Sequence, residues 1–331
     1  MNDLVERLAH DSLVQWTARQ LVEAAWLEFY VFVLVFVRVS GLMIIGPLFG
    51  QALVPAQVRF LLIFSVALLV TPILGLQQRQ AAVGWDQNRD GRISVEEVPG
   101  HLTEEFESML ASRGRLANGT ISPAEFSVAL RQPASVLELM QVIVLELLLG
   151  FALGLGVFTL LSGLQLAAQL IDQQAGVALG EVFNPALDVE TSHNGQILYM
   201  LGIVVLLSAP PLGLHLQMMS ALLETFRIFP VGMAVVGEPT IEVLSGLVHQ
   251  SLVLAVQVAA PMLATMSLVS LALGFLGHSV PQVNVLMIGF SVRTIISILI
   301  LALTLSGVSD ALIERIPQAI AAVQGSFSAS L

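Results

Sequence analysis

Six apolar runs, each long enough to cross a membrane as a helix, constrain this chain more than anything else in it. They lie at Tyr30–Phe49, Val58–Leu76, Val136–Leu164, Ile197–Leu223, Val243–Gly277 and Val285–Leu305. A helix rises 1.5 Å per residue, so about 20 residues span the roughly 30 Å of hydrocarbon. Backbone in lipid must satisfy its own hydrogen bonds, and unbroken apolar runs of this length do so as helices. Composition agrees: of 331 residues 56% are hydrophobic and 11% charged, against about a quarter charged in soluble domains. The fold expected is all-α, a polytopic membrane protein with about six hydrophobic helical segments.

Other readings are excluded by what the chain lacks. There is no cysteine, so disulfides and thiolate chemistry are out. All thirteen basic residues are arginine, and the net charge of -11 is spread over ends and loops, which makes nucleic acid an unsuitable partner. No nucleophile elbow, phosphate-binding glycine loop or HExxH motif occurs, and the six histidines are scattered. The chain is not expected to be an enzyme.

Organisation follows from hydropathy. Residues 1–76 hold an amphipathic helix, over about 4–25, and the first helical hairpin. Residues 77–132 change abruptly to charges, caps and glycines and read as an inserted soluble domain. Residues 133–331 hold the remaining apolar helices. The fourth run is interrupted by Ala209-Pro210-Pro211, and the tail from Ser306 reads as a separate short amphipathic helix.

Two features inside the apolar body point to function. The stretch from Ala167 to Gly195 crowds glutamine, glycine and carboxylate residues between two apolar blocks. Asn184-Pro185 forces a turn there, because the residue before proline leaves helical geometry. Irregular polar backbone at membrane depth is tolerated only where protein or a water-filled passage surrounds it. Residues 172–195, with Gly176, Gly180, Phe183, Asn184 and Pro185, are therefore expected to form a plug-like loop lining a passage. The second feature is charge. Arg38, Glu146 and Arg293 each interrupt an apolar run, and an unpaired charge in a span costs several kcal/mol. The three are expected to pair.

The strongest local motif is Asp86 to Glu97, DQNRDGRISVEE, which follows the twelve-residue EF-hand calcium loop. Asp86, Asn88 and Asp90 stand at loop positions one, three and five, and Gly91 makes the sharp turn at six. Arg92 offers a backbone carbonyl, Ser94 acts through water, and Glu97 closes the shell with two oxygens. Residues 114–125 repeat Gly119, Ile121 and Glu125 in register but lack the first ligands, which makes them a structural partner for the first loop. With one working loop and two nearby arginines, calcium affinity is expected to be weak, on the order of 10⁻⁴ M or poorer.

The apolar body resembles the FliR/SctT family, subunits of the type III export gate of bacterial flagella and injectisomes. The resemblance rests on VFVRVSGLMIIGPLFG, VPAQVRFLLIFSVAL, LELLLGFALGLGV, LQLAAQLIDQQAGVALGEVFNP, FRIFPVG and ALGFLGHSVPQVNVLMIGFSVR, in that order. It implies a structural, pore-forming subunit that winds with FliP- and FliQ-type partners into a helical cone, beside FlhB- and FlhA-type export proteins. Unfolded flagellar substrates would pass through that cone. It also implies a bacterial inner-membrane location in the flagellar basal body, with lipid as a further neighbour, and a plug role for the Gly176–Pro185 loop. The insert has no counterpart in the family. An injectisome subunit, or a calcium-regulated channel or solute carrier, remains the alternative, although no internal repeat of the kind carriers show is present.

Overall fold

The computed structural model describes residues 26, 28–47, 54–98, 100, 103, 106–107, 110, 119–121, 135–175, 193–210, 213–280 and 285–329. The amphipathic helix expected over residues 4–25 lies outside them. Among the described residues seven helices carry the body: α1 (Glu28–Ile45), α2 (Ala56–Trp85), α3 (Val136–Ala175), α4 (His193–Ser208), α5 (Leu214–Ile228), α6 (Glu238–Ser279) and α7 (Val285–Ser328). Between α2 and α3 lie two short strands, β1 (Ile93–Ser94) and β2 (Thr120–Ile121).

Five of these helices, α1, α2, α3, α6 and α7, are long and apolar enough to cross a membrane. The fourth apolar run is two helices. Pro210 has no N–H to continue α4, and Gly213, at φ 83°, turns the chain before α5 begins. The tail is likewise not a separate helix, since α7 runs unbroken through Pro317 to Ser328. Its second half presents Val308, Leu312, Ile316, Ala319, Val323 and Phe327 at helical spacing, all buried in the core. That continuous stripe holds the helix together where propensity alone would let it end.

α3 is the hub, packing most extensively against α6 and also against α4, α5 and α7. Glycines bring the helices close. A side chain at Gly41 or Gly150 would run into the backbone of the facing helix, and one at Gly163 would lie 2.6 Å from the Ser251 carbonyl oxygen. α1 and α2 meet through the edge-to-face pairs Phe32–Phe64 and Phe36–Phe60, with ring centroids 5.5 and 5.8 Å apart.

α2 continues as helix past Leu76 to Trp85, beyond the expected start of the insert. The insert then forms its own small core of Ile93, Val98, Phe106, Leu110 and Ile121. Its strands pair antiparallel, with Ile93 opposite Ile121 and Ser94 opposite Thr120.

Candidate functional site

Arg38 and Glu146 are fully buried and paired. Two glycines bring their helices together, because α1 and α3 approach at Gly41 and Gly150 more closely than a Cβ would allow. Arg38 Nε donates to Glu146 Oε2 at 2.5 Å, and its Nη1 donates to the Phe229 carbonyl at 3.1 Å and to Thr225 Oγ1 at 3.3 Å. The Phe226 ring lies under the guanidinium, 4.2 Å from Cζ. Glu146 Oε1 accepts the Gly232 N–H at 2.8 Å. Both carboxylate oxygens are thus satisfied, whereas Arg38 Nη2 is buried without a hydrogen-bond partner, so the pair meets only in part the condition under which a buried ion pair is tolerated.

The sequence FRIFPVG supplies the other half of this clasp. α5 ends at Ile228, and the Phe229 N–H closes on the Thr225 carbonyl at 2.8 Å, leaving the Phe229 carbonyl free for Arg38. The Met233 N–H then returns to the Pro230 carbonyl at 3.0 Å. Gly232 stands third in that four-residue turn with φ 89°, a position that favours glycine. The turn aims the Gly232 amide at Glu146. Thr225, Phe226, Phe229 and Gly232 were not anticipated as parts of the site. The signal for Phe226, Phe229 and Gly232 was the FRIFPVG run, which says nothing about a partner 86 residues away in sequence.

Arg293 does not join this pair. It sits on the far half of α7, partly buried, and donates to Ser270 Oγ on α6 at 3.0 Å. The expectation of a three-residue group fails because Arg293 lies on a largely exposed stretch of α7 beside α6, whereas Arg38 and Glu146 are fully buried.

The calcium-type loop has a definite geometry. Asp86 Oδ1 and Oδ2 accept the amides of Asp90 and Gly91 at 3.1 and 2.9 Å, and Asn88 Oδ1 also accepts the Asp90 amide at 2.9 Å. Asp90 Oδ1 accepts the Arg92 amide at 2.7 Å. Glu97 folds back across the loop: Oε2 accepts the Ser94 amide and hydroxyl, and Oε1 the amides of Gln87 and Asn88. Arg89 and Gly91 adopt left-handed φ values of 58° and 75°. The Ser94 amide bond holds the Glu97 carboxyl below its ordinary value of 4.5. Among the described residues no group of three or more His, Asp or Glu side chains converges as a metal cluster. Asp86, Asp90 and Glu97, the three carboxylates of the expected calcium set, are thus not gathered around one point. Of the expected partner loop, Gly119 to Ile121 are described, with Gly119 at φ 57°.

Gly176, Gly180, Phe183, Asn184 and Pro185 lie outside the described residues. Leading towards them, the last turns of α3 carry Gln169, Gln173 and Gln174 exposed, whereas Leu149 to Ala168 before them has no exposed residue.

The model of a family described as bacterial export proteins, family 1, matches residues 29–319. The chain belongs to this family. Flagellar biosynthetic protein FliR of Bacillus subtilis is 23% identical over 281 residues, covering 84% of this export protein and 87% of the relative. FliR of Caulobacter vibrioides is 23% identical over 288 residues, 87% and 93% of the two chains. Yop proteins translocation protein T of Yersinia pestis is 29% identical over 167 residues, 50% of this chain and 63% of that one. The resemblance to the FliR/SctT type therefore holds along nearly the whole export-protein body. With five apolar helices of spanning length, this family member is a multi-pass membrane protein.

Proposed function

We propose that the chain is a structural subunit of the flagellar type III export gate in the bacterial inner membrane. There it forms part of the conduit for unfolded flagellar substrates with FliP- and FliQ-type partners, next to FlhB- and FlhA-type export proteins. The observation that carries this reading is the family match over residues 29–319 together with FliR relatives that align over most of both chains. The apolar surface left bare on α2, α6 and α7 supports it, since a chain built to stand alone in water would cover it. The loop with Gly176, Gly180, Phe183, Asn184 and Pro185 is assigned the plug role in the closed conduit. No catalytic step is assigned to the chain.

An in-frame deletion tests the reading. Loss of filaments and of substrate secretion, restored by the gene in trans, is the expected result, and normal swimming in the deletion strain overturns it. An injectisome role is the second reading, favoured by the Yop translocation relative; intact flagella with lost effector secretion would select it. For the insert we propose weak calcium binding through Asp86, Asn88, Asp90, the Arg92 carbonyl, Ser94 and Glu97. Millimolar calcium should raise the melting temperature of the full chain, and a Glu97→Gln variant should lose that rise.

A further inference from the structure

The insert is joined to the body by more than its two covalent ends. Its core of Ile93, Val98, Phe106, Leu110 and Ile121 is completed by Trp85 and Val95 and by Met233, which belongs to the turn after α5. Met233 is the neighbour of Gly232, whose amide is held by Glu146 Oε1 at 2.8 Å. One turn therefore carries a side chain in the insert and a backbone donor on the buried ion pair. Because the Met233 amide is itself tied to the Pro230 carbonyl at 3.0 Å, the turn moves as a unit.

There is room for that movement. A cavity of about 290 Å³ separates this segment from the first turns of α3, lined by Glu138, Val142 and Leu145 on the helix side and by Gly232, Met233 and Val235 on the other. α3 begins at Val136, directly after the insert, so the insert's exit, the cavity and the turn share one corner of the molecule. An interior at close-packed density resists small displacements, whereas a segment beside a void does not. Phe229, Val231 and Ala234 anchor the segment in the main core, and Met233 is its contact with the insert.

We propose that the insert is a handle on the gate's internal ion pair. Docking of its core on Met233 holds the Pro230–Met233 turn in place and keeps the Gly232 amide on Glu146, and loosening the insert releases that amide from the Arg38–Glu146 clasp. The coupling is mechanical and goes beyond the export role; it does not depend on metal in the Asp86–Glu97 loop. Coupling of this kind is reciprocal, so loosening the turn also loosens the insert.

Hydrogen exchange on the full chain in detergent tests it. Phe106 is 1% exposed and belongs to the insert's own core, away from the ion pair. The Phe106→Ala variant should raise exchange of the Gly232 and Met233 amides by about tenfold or more, while amides of α6 from Leu254 to Met266 stay protected. In a Met233→Ala background the same Phe106→Ala change should leave Gly232 exchange where the single Met233→Ala variant puts it. Should Phe106→Ala unfold the whole chain, as loss of α6 protection would reveal, the milder Ile121→Val gives the same readout. Loss of protection at Ile93 and Ile121 with Gly232 unmoved overturns the proposal, as does an equal Phe106→Ala response in the Met233→Ala background.

Discussion

The near and far halves of the α6–α7 pair meet opposite fates. In the near half Leu247, Leu254, Val258 and Met262 of α6 and Val308, Leu312, Ile316 and Val323 of α7 are buried against α3 and its neighbours. In the far half Leu268, Leu271 and Phe275 of α6 and Met287, Ile295, Ile298 and Leu303 of α7 stand bare, with Phe275 75% exposed and Leu303 68%. Hydropathy does not account for the difference, since the second half of α7, with Asp310, Glu314 and Arg315, supplies the buried stripe while its more apolar first half stands bare. The two arginines repeat the contrast, since Arg38 in the core has a carboxylate, a carbonyl, a hydroxyl and an aromatic face, and the bond recorded for Arg293 in the far half goes to a serine. Core helices are finished within the chain, and the far half is left for its surroundings to finish.

The contrast can be broken most severely at the clasp. Arg38→Ala or Glu146→Ala strands the other charge in the core and should cost about 3–5 kcal/mol. Thermal unfolding of the purified chain in detergent should show a large drop, and a double Arg38→Met, Glu146→Leu variant should recover most of it. Arg293→Ala in the same assay should lie near wild type. A smaller effect separates the halves through leucine. Leu312→Ala, at 0% exposure, should cost roughly 2–5 kcal/mol, whereas Leu303→Ala should leave the isolated chain unchanged. Equal losses at the two positions would mean that the far half is packed after all.

The smallest effect belongs to the insert. The Glu97 carboxyl is held below its ordinary value when folded, so the stability it lends is present above that value and lost as pH falls through the lower folded one. Protection of the β1 and β2 amides should therefore decline below about pH 4.5, and Glu97→Gln should flatten that decline. A decline centred near neutral pH would show another group at work.

Much of this was readable in advance where the signal is local. The apolar runs set the helices, and Gly91, Ile93 and Glu97 at their loop spacing mark the paired insert, in which Ile93 does meet Ile121. The tail was misread because a run starting at Ser306 with Asp310, Glu314 and Arg315 looks like an independent amphipathic helix. Its buried stripe declares itself only when α3 and α6 are there to receive it. Pro317 does not end α7, which carries buried Leu312 and Ile316 before it and Ala319 and Val323 after it.

What the sequence by itself determined is the class of molecule: helices long and apolar enough for a membrane, and membership of an export family. Tertiary structure alone decided the partners of the charges. Arg38 meets Glu146 instead of Arg293 meeting either, and Gly232 and Met233 turn one short segment into a bridge between ion pair and insert. The reason is that periodicity and propensity act over a few residues, whereas a partner 108 positions away is chosen by which helix faces come within a glycine's reach.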